Sequence, residues 1–176
     1  MKILKTIGIG LIGLIAFLLI AALFIPKEYT VTVSTTINKS RKEVYDYVKL
    51  VKNQEFYSVW VMEDPNVVMK YTGTDGTVGF IAGWNSEKGD AGEGEQEITQ
   101  ISEERIDVDL RFKRPFESNQ KASTILKIIS PTQTEVVSEF YGHEAYPMNL
   151  MSFIGKNIIE KAETTTLNNL KTILEK

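Results

Sequence analysis

The chain has no cysteine and a single histidine, His143, in 176 residues. The first absence excludes disulfides, thiolate nucleophiles and cysteine metal ligands. The second leaves no cluster with the ligand spacing of a zinc site. Positive charge is not in excess either. The net charge is −3, and because Lys2 and Lys5 supply two positive charges at the N-terminus, the remainder carries about −5. That balance gives no basic footprint for nucleic acid and no polybasic patch for anionic lipid. There is no internal repeat and no low-complexity linker. Five prolines, twelve glycines and 43 % hydrophobic residues describe a packed globule rather than a disordered chain.

What the sequence does have is a long apolar run. Ile7 to Ile25 are nineteen residues without a charge or a strongly polar side chain. At about 1.5 Å per residue a helix of that length covers roughly 28 Å, close to the hydrocarbon thickness of a bilayer. Lys2 and Lys5 precede it and Pro26-Lys27-Glu28 closes it. The basic flank predicts a cytoplasmic N-terminus and a C-terminal domain beyond the membrane. A cleaved signal peptide is the competing reading. The run is longer than the usual signal core, and Ile20-Ala21-Ala22 lacks a small residue at the first position of a cleavage site. Residues 1–26 are therefore expected to form a single transmembrane anchor, and 27–176 one domain held close to the membrane by a short tether.

Tyr29 to Ile37 alternates as a strand, with Tyr29, Val31, Val33, Thr35 and Ile37 on one face. Ser40-Arg41-Lys42-Glu43 forms a capping box that opens a short helix with Val44, Tyr47 and Val48 on its buried stripe. A further helical turn or two is expected over Asn53 to Trp60, stopped at Asp64-Pro65-Asn66. Short strands with tight turns follow: Val67 to Thr72, the segment carrying Phe80, Ala82 and Trp84, Glu95 to Ile101, and Arg105 to Phe112. The Lys88 to Gly92 turn joins the second and third of these. Lys121 to Ile129 and Thr134 to Tyr141 pair about Pro131-Thr132-Gln133. Pro147 to Lys176 is expected as one long helix, with proline at its first position. Met151, Ile154, Ile158 and Ala162 give it a stripe that Leu167, Leu170 and Leu174 continue. A curved antiparallel sheet with that helix across its concave face satisfies both apolar faces.

This order, with several local phrases, resembles the START-like superfamily, also called SRPBCC or helix-grip proteins, in its polyketide cyclase/dehydrase-like branch. The phrases are Ile37-Asn38-Lys39-Ser40 through Val44-Tyr45-Asp46-Tyr47-Val48, Gly79 through Trp84, Gly92-Glu93-Gly94-Glu95 leading to Ile98, Leu110-Arg111-Phe112 before Pro115, and the terminal helix. The resemblance covers about Tyr29 to Lys176. It implies an α+β helix-grip fold: a curved antiparallel sheet wrapped around a long C-terminal helix, here preceded by one transmembrane helix. It also implies a cavity between sheet and helix, lined by Phe80, Trp84, Leu110, Phe112 and Phe140 from strands and by Met151 and Ile154 from the helix. Apolar cavities with a few polar groups are the usual form of small-molecule sites.

Catalytic chemistry is sparse. His143, in Gly142-His143-Glu144-Ala145-Tyr146, is the one candidate general base, with Glu144 or Tyr146 to assist. Glu93, Glu95 and Glu97 project from one strand face near Glu87 and Asp90. They do not match a calcium-binding loop, and a charged strand face accounts for them better. Gly73-Thr74-Asp75-Gly76 reads as a hairpin turn, lacking the Gly-Lys-Ser/Thr ending of a phosphate loop. Arg111, Lys113 and Arg114 form a local basic cluster at a strand end. No cofactor or metal is expected. The leading reading is a membrane-tethered, non-catalytic binder of a hydrophobic or lipid-like small molecule. The alternatives are an interaction module serving an envelope protein partner at the membrane surface, and a cyclase- or hydrolase-like enzyme using His143.

Overall fold

The computed structural model describes residues 2–87 and 91–176. Lys88, Gly89 and Asp90, and with them most of the expected 88–92 turn, lie outside the described residues. The elements run α1 (Lys2–Ala22), β1 (Glu28–Ile37), α2 (Arg41–Val48), a 3-10 turn (Val51–Phe56), α3 (Val59–Met62), and six strands, β2 (Val68–Thr72), β3 (Ile81–Asn85), β4 (Glu93–Ile101), β5 (Arg105–Arg114), β6 (Ser118–Ser130) and β7 (Gln133–His143). A second 3-10 turn (Met148–Met151) leads into α4 (Ser152–Leu174).

One antiparallel sheet holds all seven strands in the order β1-β7-β6-β5-β4-β3-β2. Side chains alternate across each strand, and the register carries that alternation through the sheet. Ile37, Thr134 and Val136 share the concave face with Leu126 and Ile106, as do Phe140, Ala122, Val108 and Ile98. The concave face thus becomes one apolar surface curved around α4. Capping-box geometry is present at α2: Glu43 N–H donates to Ser40 Oγ, and Ser40 N–H donates to the Glu43 carboxylate.

The main core lies at one end of this surface. Ile37, Ile106, Leu126 and Val136 from the sheet meet Val44 and Val48 of α2, Tyr57, and Leu167 and Leu170 of α4. A second cluster joins Val51, Phe80, Ala82 and Ile98. Polar clasps complete the docking of α4. Thr166 Oγ1 accepts from Val59 N–H (3.1 Å), and the Asn169 amide donates to Tyr57 O (3.1 Å).

The convex face is held by ion pairs. Arg111 lies 2.7 Å from Glu95 and 2.8 Å from Glu97, and Arg114 lies 3.1 Å from Glu93. The glutamate row and the basic cluster seen in the sequence therefore neutralise each other across β4 and β5. No group of three or more metal-ligating side chains occurs among the described residues.

One expected element differs. The helix does not begin at Pro147. Residues Met148–Met151 form a 3-10 turn, and regular α-helix starts at Ser152. The tighter turn has a physical reason. It buries the Asn149 side chain against the end of α1, while Ser152 Oγ donates back to Asn149 O (2.7 Å).

Candidate functional site

Away from the main core, strand alternation sets Phe140 on β7, Leu110 and Phe112 on β5 and Trp84 on β3 on the concave face, all half-buried. Trp84 and Phe112 meet edge-to-face with ring centroids 5.6 Å apart. Two glycines make room for aromatic rings on neighbouring strands. A Cβ at Gly94 would lie 2.6 Å from Trp84 Cζ2, and one at Gly142 would fall inside the ring of Tyr29. Tyr29 lies in turn against Phe140 and beneath Lys156 Nζ, which is 5.3 Å from its centroid.

The helical row follows from spacing. Met151, Ile154 and Ile158 fall on the flank of α4 that also carries Asn169, and Asn169 reaches Tyr57 O. The opposite flank carries Lys156 over Tyr29 and Lys171 against Thr36 O, so it faces β1. Met151, Ile154 and Ile158 are each more than half exposed, at 55 %, 56 % and 55 %. They form an exposed apolar row beside the buried face of Ser152, Ala162, Thr166 and Leu170.

Polar groups nearby are engaged with the protein itself. Trp60 Nε1–H and Ser138 Oγ donate to the two oxygens of Glu163 (3.1 and 2.8 Å), tying α3, β7 and α4 together. The Gln96 amide donates to Gln54 Oε1 (2.6 Å). Gln120, 5 % exposed, accepts from His143 N–H (2.6 Å) and donates to His143 O (3.1 Å), so it pins the end of β7. Burial pushes the Tyr57 hydroxyl up, with Tyr47 and Glu163 adding to the effect, so that hydroxyl stays protonated.

The sequence-expected lining is divided by the fold. Trp84, Leu110, Phe112 and Phe140 share the concave face, where Trp84 touches Phe112. Met151 and Ile154 are exposed at the start of the last helix. Phe80, at 1 % exposure, belongs to the closed cluster with Val51, Ala82 and Ile98. His143 lies away from these residues, because strand alternation turns it to the convex face, where Nδ1 is 3.7 Å from Glu28 Oε1. Burial raises the Glu144 carboxyl above its ordinary value, while His143 opposes that shift. Sequence reasoning missed Glu163 and Gln120, whose partners are 103, 25 and 23 residues away.

It also missed Asn149. This residue is 1 % exposed, and its amide donates to both Ala22 O (2.6 Å), which also accepts from Ile25 N–H (3.4 Å), and Ile25 O (2.7 Å), at and just beyond the end of α1. Tyr146 Oη donates to Leu19 O (3.3 Å), and Glu144 N–H donates to Lys27 O (2.8 Å). A groove of about 230 Å³ lies alongside, between Ile15, Leu18 and Leu19 of α1 and Pro147, Met148, Leu150 and Met151. The one available signal for Asn149 was a lone amide set in an otherwise apolar run from Met148 to Ile154.

No protein-family model and no curated protein matches the sequence. Solved structures match over most of the chain. Norcoclaurine synthase from Thalictrum flavum, in complex with dopamine and hydroxybenzaldehyde, aligns with a TM-score of 0.64 at 9 % identity, covering 84 % of this chain and 86 % of that one. Ara h 8.0201 aligns with a TM-score of 0.61 at 11 % identity, covering 84 % and 97 %. The Aha1 dimer from Colwellia psychrerythraea aligns with a TM-score of 0.57 at 14 % identity, covering 84 % and 96 %. At these identities the likeness is one of fold: the chain has the helix-grip architecture, an α+β fold with its C-terminal helix held by a curved sheet.

Proposed function

We propose that the protein is a membrane-tethered, non-catalytic binder of a hydrophobic or lipid-like small molecule, held in a trough between the sheet and α4. What supports this reading is the exposed apolar row of Met151, Ile154 and Ile158 on the last helix, together with the half-buried aromatics Trp84, Phe112 and Phe140 on the concave face. Apolar surface left open in water is unfavourable by about 25 cal/mol per Å², and a ligand of matching chemistry removes it. Glu163, Gln96 and Gln120 nearby are engaged in hydrogen bonds that hold the fold. An N-terminal helix, Ile3–Ala22, is long and apolar enough to cross a bilayer, and it places such a ligand within reach of its source. Norcoclaurine synthase, similar in fold, has a structure in complex with dopamine and hydroxybenzaldehyde, which supports small-molecule binding by this architecture.

The test is extraction and mass spectrometry of the full chain purified from its own host, beside an Ala122→Phe variant. Ala122 lies on the concave face between Phe140 and Val108, so the larger ring fills the trough without adding charge. One dominant lipid or polyketide-like molecule in the wild type, depleted in the variant, is the expected result. Equal contents in both would refute the trough as the site. The exposed apolar row of Met151, Ile154 and Ile158 also suits an apolar segment of a partner protein. Under that second reading no small molecule co-purifies, and Ala122→Phe instead abolishes capture of an envelope protein.

A further inference from the structure

Two uncharged stretches of this chain end at the same level of the structure. The first runs from Thr6 to Pro26, between Lys5 and Lys27. The second runs from Ala145 to Gly155, between Glu144 and Lys156. Their charged ends are tied together: Glu144 N–H donates to Lys27 O, and Lys156 sits over the ring of Tyr29, two residues beyond Lys27. On one side of this level lie the charged strand ends, and on the other lie α1 and the 145–155 segment.

The second stretch runs beside α1 rather than beyond its end. Met148, Leu150 and Met151 share a groove with Ile15, Leu18 and Leu19. Ile15 is about 10 Å along the helix axis from Ala22 at 1.5 Å per residue. Residues at that depth in a span lie well inside a hydrocarbon layer of about 30 Å.

The polar groups are arranged accordingly. Regular helix in α1 stops at Ala22, although the apolar run continues to Ile25. Carbonyls released inside hydrocarbon need donors from the protein. Asn149 supplies them to Ala22 and Ile25, and Tyr146 supplies one to Leu19. Asn149, the one amide of the second stretch, is thereby turned inward. Its outward side chains are apolar, with Phe153 79 % exposed and Ile154 56 % exposed. An exposed phenylalanine beside a membrane span, on a segment without charge, has hydrocarbon as its matching surroundings.

We propose that residues 145–155 insert beside α1 into the acyl region of the leaflet where α1 ends, so that the trough opens into hydrocarbon. This rests on the reading of α1 as a membrane span. It deepens the proposed function by naming the route: a chain-bearing lipid enters sideways from the leaflet, past Met151 and Ile154, without crossing water.

The chain has no native cysteine, so single cysteines carrying a nitroxide can be placed at Ile12, Phe153, Ile154 and Thr132 in the full chain. Each variant is reconstituted in phosphatidylcholine vesicles, and collision with oxygen is compared with collision with a nickel chelate. Positions 12, 153 and 154 are expected to lose nickel accessibility and gain oxygen accessibility, while Thr132, on the distal β6–β7 turn, stays fully nickel-accessible. Position 12 protected with 153 and 154 nickel-accessible would overturn the inference while leaving the membrane span intact. Position 12 nickel-accessible would remove the span and the inference together. Spin–spin broadening at 153 that disappears on dilution with unlabelled chain would place a second copy there instead of lipid. Ligand content, measured separately by extraction, decides the binding function independently of these outcomes.

Discussion

Replacing Asn149 with alanine should loosen the domain from α1 without unfolding either. The amide donates to Ala22 O and Ile25 O. Ile25 O loses that donor at a cost of about 1–3 kcal/mol, while Ala22 O keeps the longer bond from Ile25 N–H (3.4 Å) and loses about 0.5–1.5 kcal/mol. One effect runs the other way. Asn149 Oδ1 is buried with no hydrogen-bond partner, so deleting it returns a penalty of about 1–3 kcal/mol. The net cost is about 0.5–1.5 kcal/mol, which multiplies the undocked population roughly 2- to 13-fold. The loss belongs to docking rather than to the core, because both acceptors lie in or just beyond α1. Nitroxides at Ile12 and Asn157 in the full chain report it by pulsed dipolar spectroscopy. The wild type should give one narrow distance distribution, and Asn149→Ala a broadened one with the thermal unfolding of the sheet unchanged. An unaltered distribution would refute the reasoning. So would a fall in the unfolding temperature of the sheet with no broadening, which would make Asn149 a core residue.

Three further outcomes follow from the same geometry. Gly142→Ala drives a Cβ into the Tyr29 ring and should destabilise by about 1–3 kcal/mol, as overpacking does. Tyr29→Ala in the same chain should recover most of that loss in a denaturant titration, and simple additivity of the two changes would contradict the contact. Glu43 is held below its ordinary value by its hydrogen bonds with Ser40, Asp46 is held at about 2 by Lys42 and Lys49, and Glu175 is held down by Lys171 and Asn38. Stability from such groups is present above the unfolded-state values of 4.5 and 3.8 and is lost as pH falls through the folded-state values. The unfolding temperature should therefore drop between about pH 4.5 and 2, and Asp46→Asn should flatten the lower part of that slope; an unchanged slope would contradict the assignment. Met151→Arg should reduce ligand content in the purified chain by at least the tenfold that about 1.4 kcal/mol represents, with no reduction refuting its place on the trough wall.

Much of the fold was legible because its rules are local. Strand alternation alone placed Tyr29, Val31, Val33, Thr35 and Ile37 on one face. It also separated Ile106 and Val108 from the charged side chains of the same strand. The capping box at Ser40 is four residues of sequence and appears as expected. The placement of Trp84, Leu110, Phe112 and Phe140 on the concave face was legible for the same reason, since period-two patterning survives curvature. What was not legible depends on pairs far apart in the chain. Asn149 meets α1 across 127 and 124 residues, and that contact changes the start of the last helix from a proline-led α-helix to a 3-10 turn. Phe80, just before β3, and Trp84 within it follow one alternation, yet only Phe80 is sealed, because Val51 from the 3-10 turn packs with it. Coverage of that kind comes from a separate element, and no pattern within the strand encodes it.

The central claim is that the trough holds a lipid-like molecule, and photocrosslinking tests it most directly. The full chain would be reconstituted in vesicles containing a phospholipid with a diazirine in its acyl chain, irradiated, digested and mapped by mass spectrometry. The account predicts adducts on the concave strand residues, Leu110, Phe112 and Phe140, together with those on α1. Adducts confined to α1 and residues 145–155, with the concave strands unlabelled, would contradict it: the protein would touch lipid without holding it.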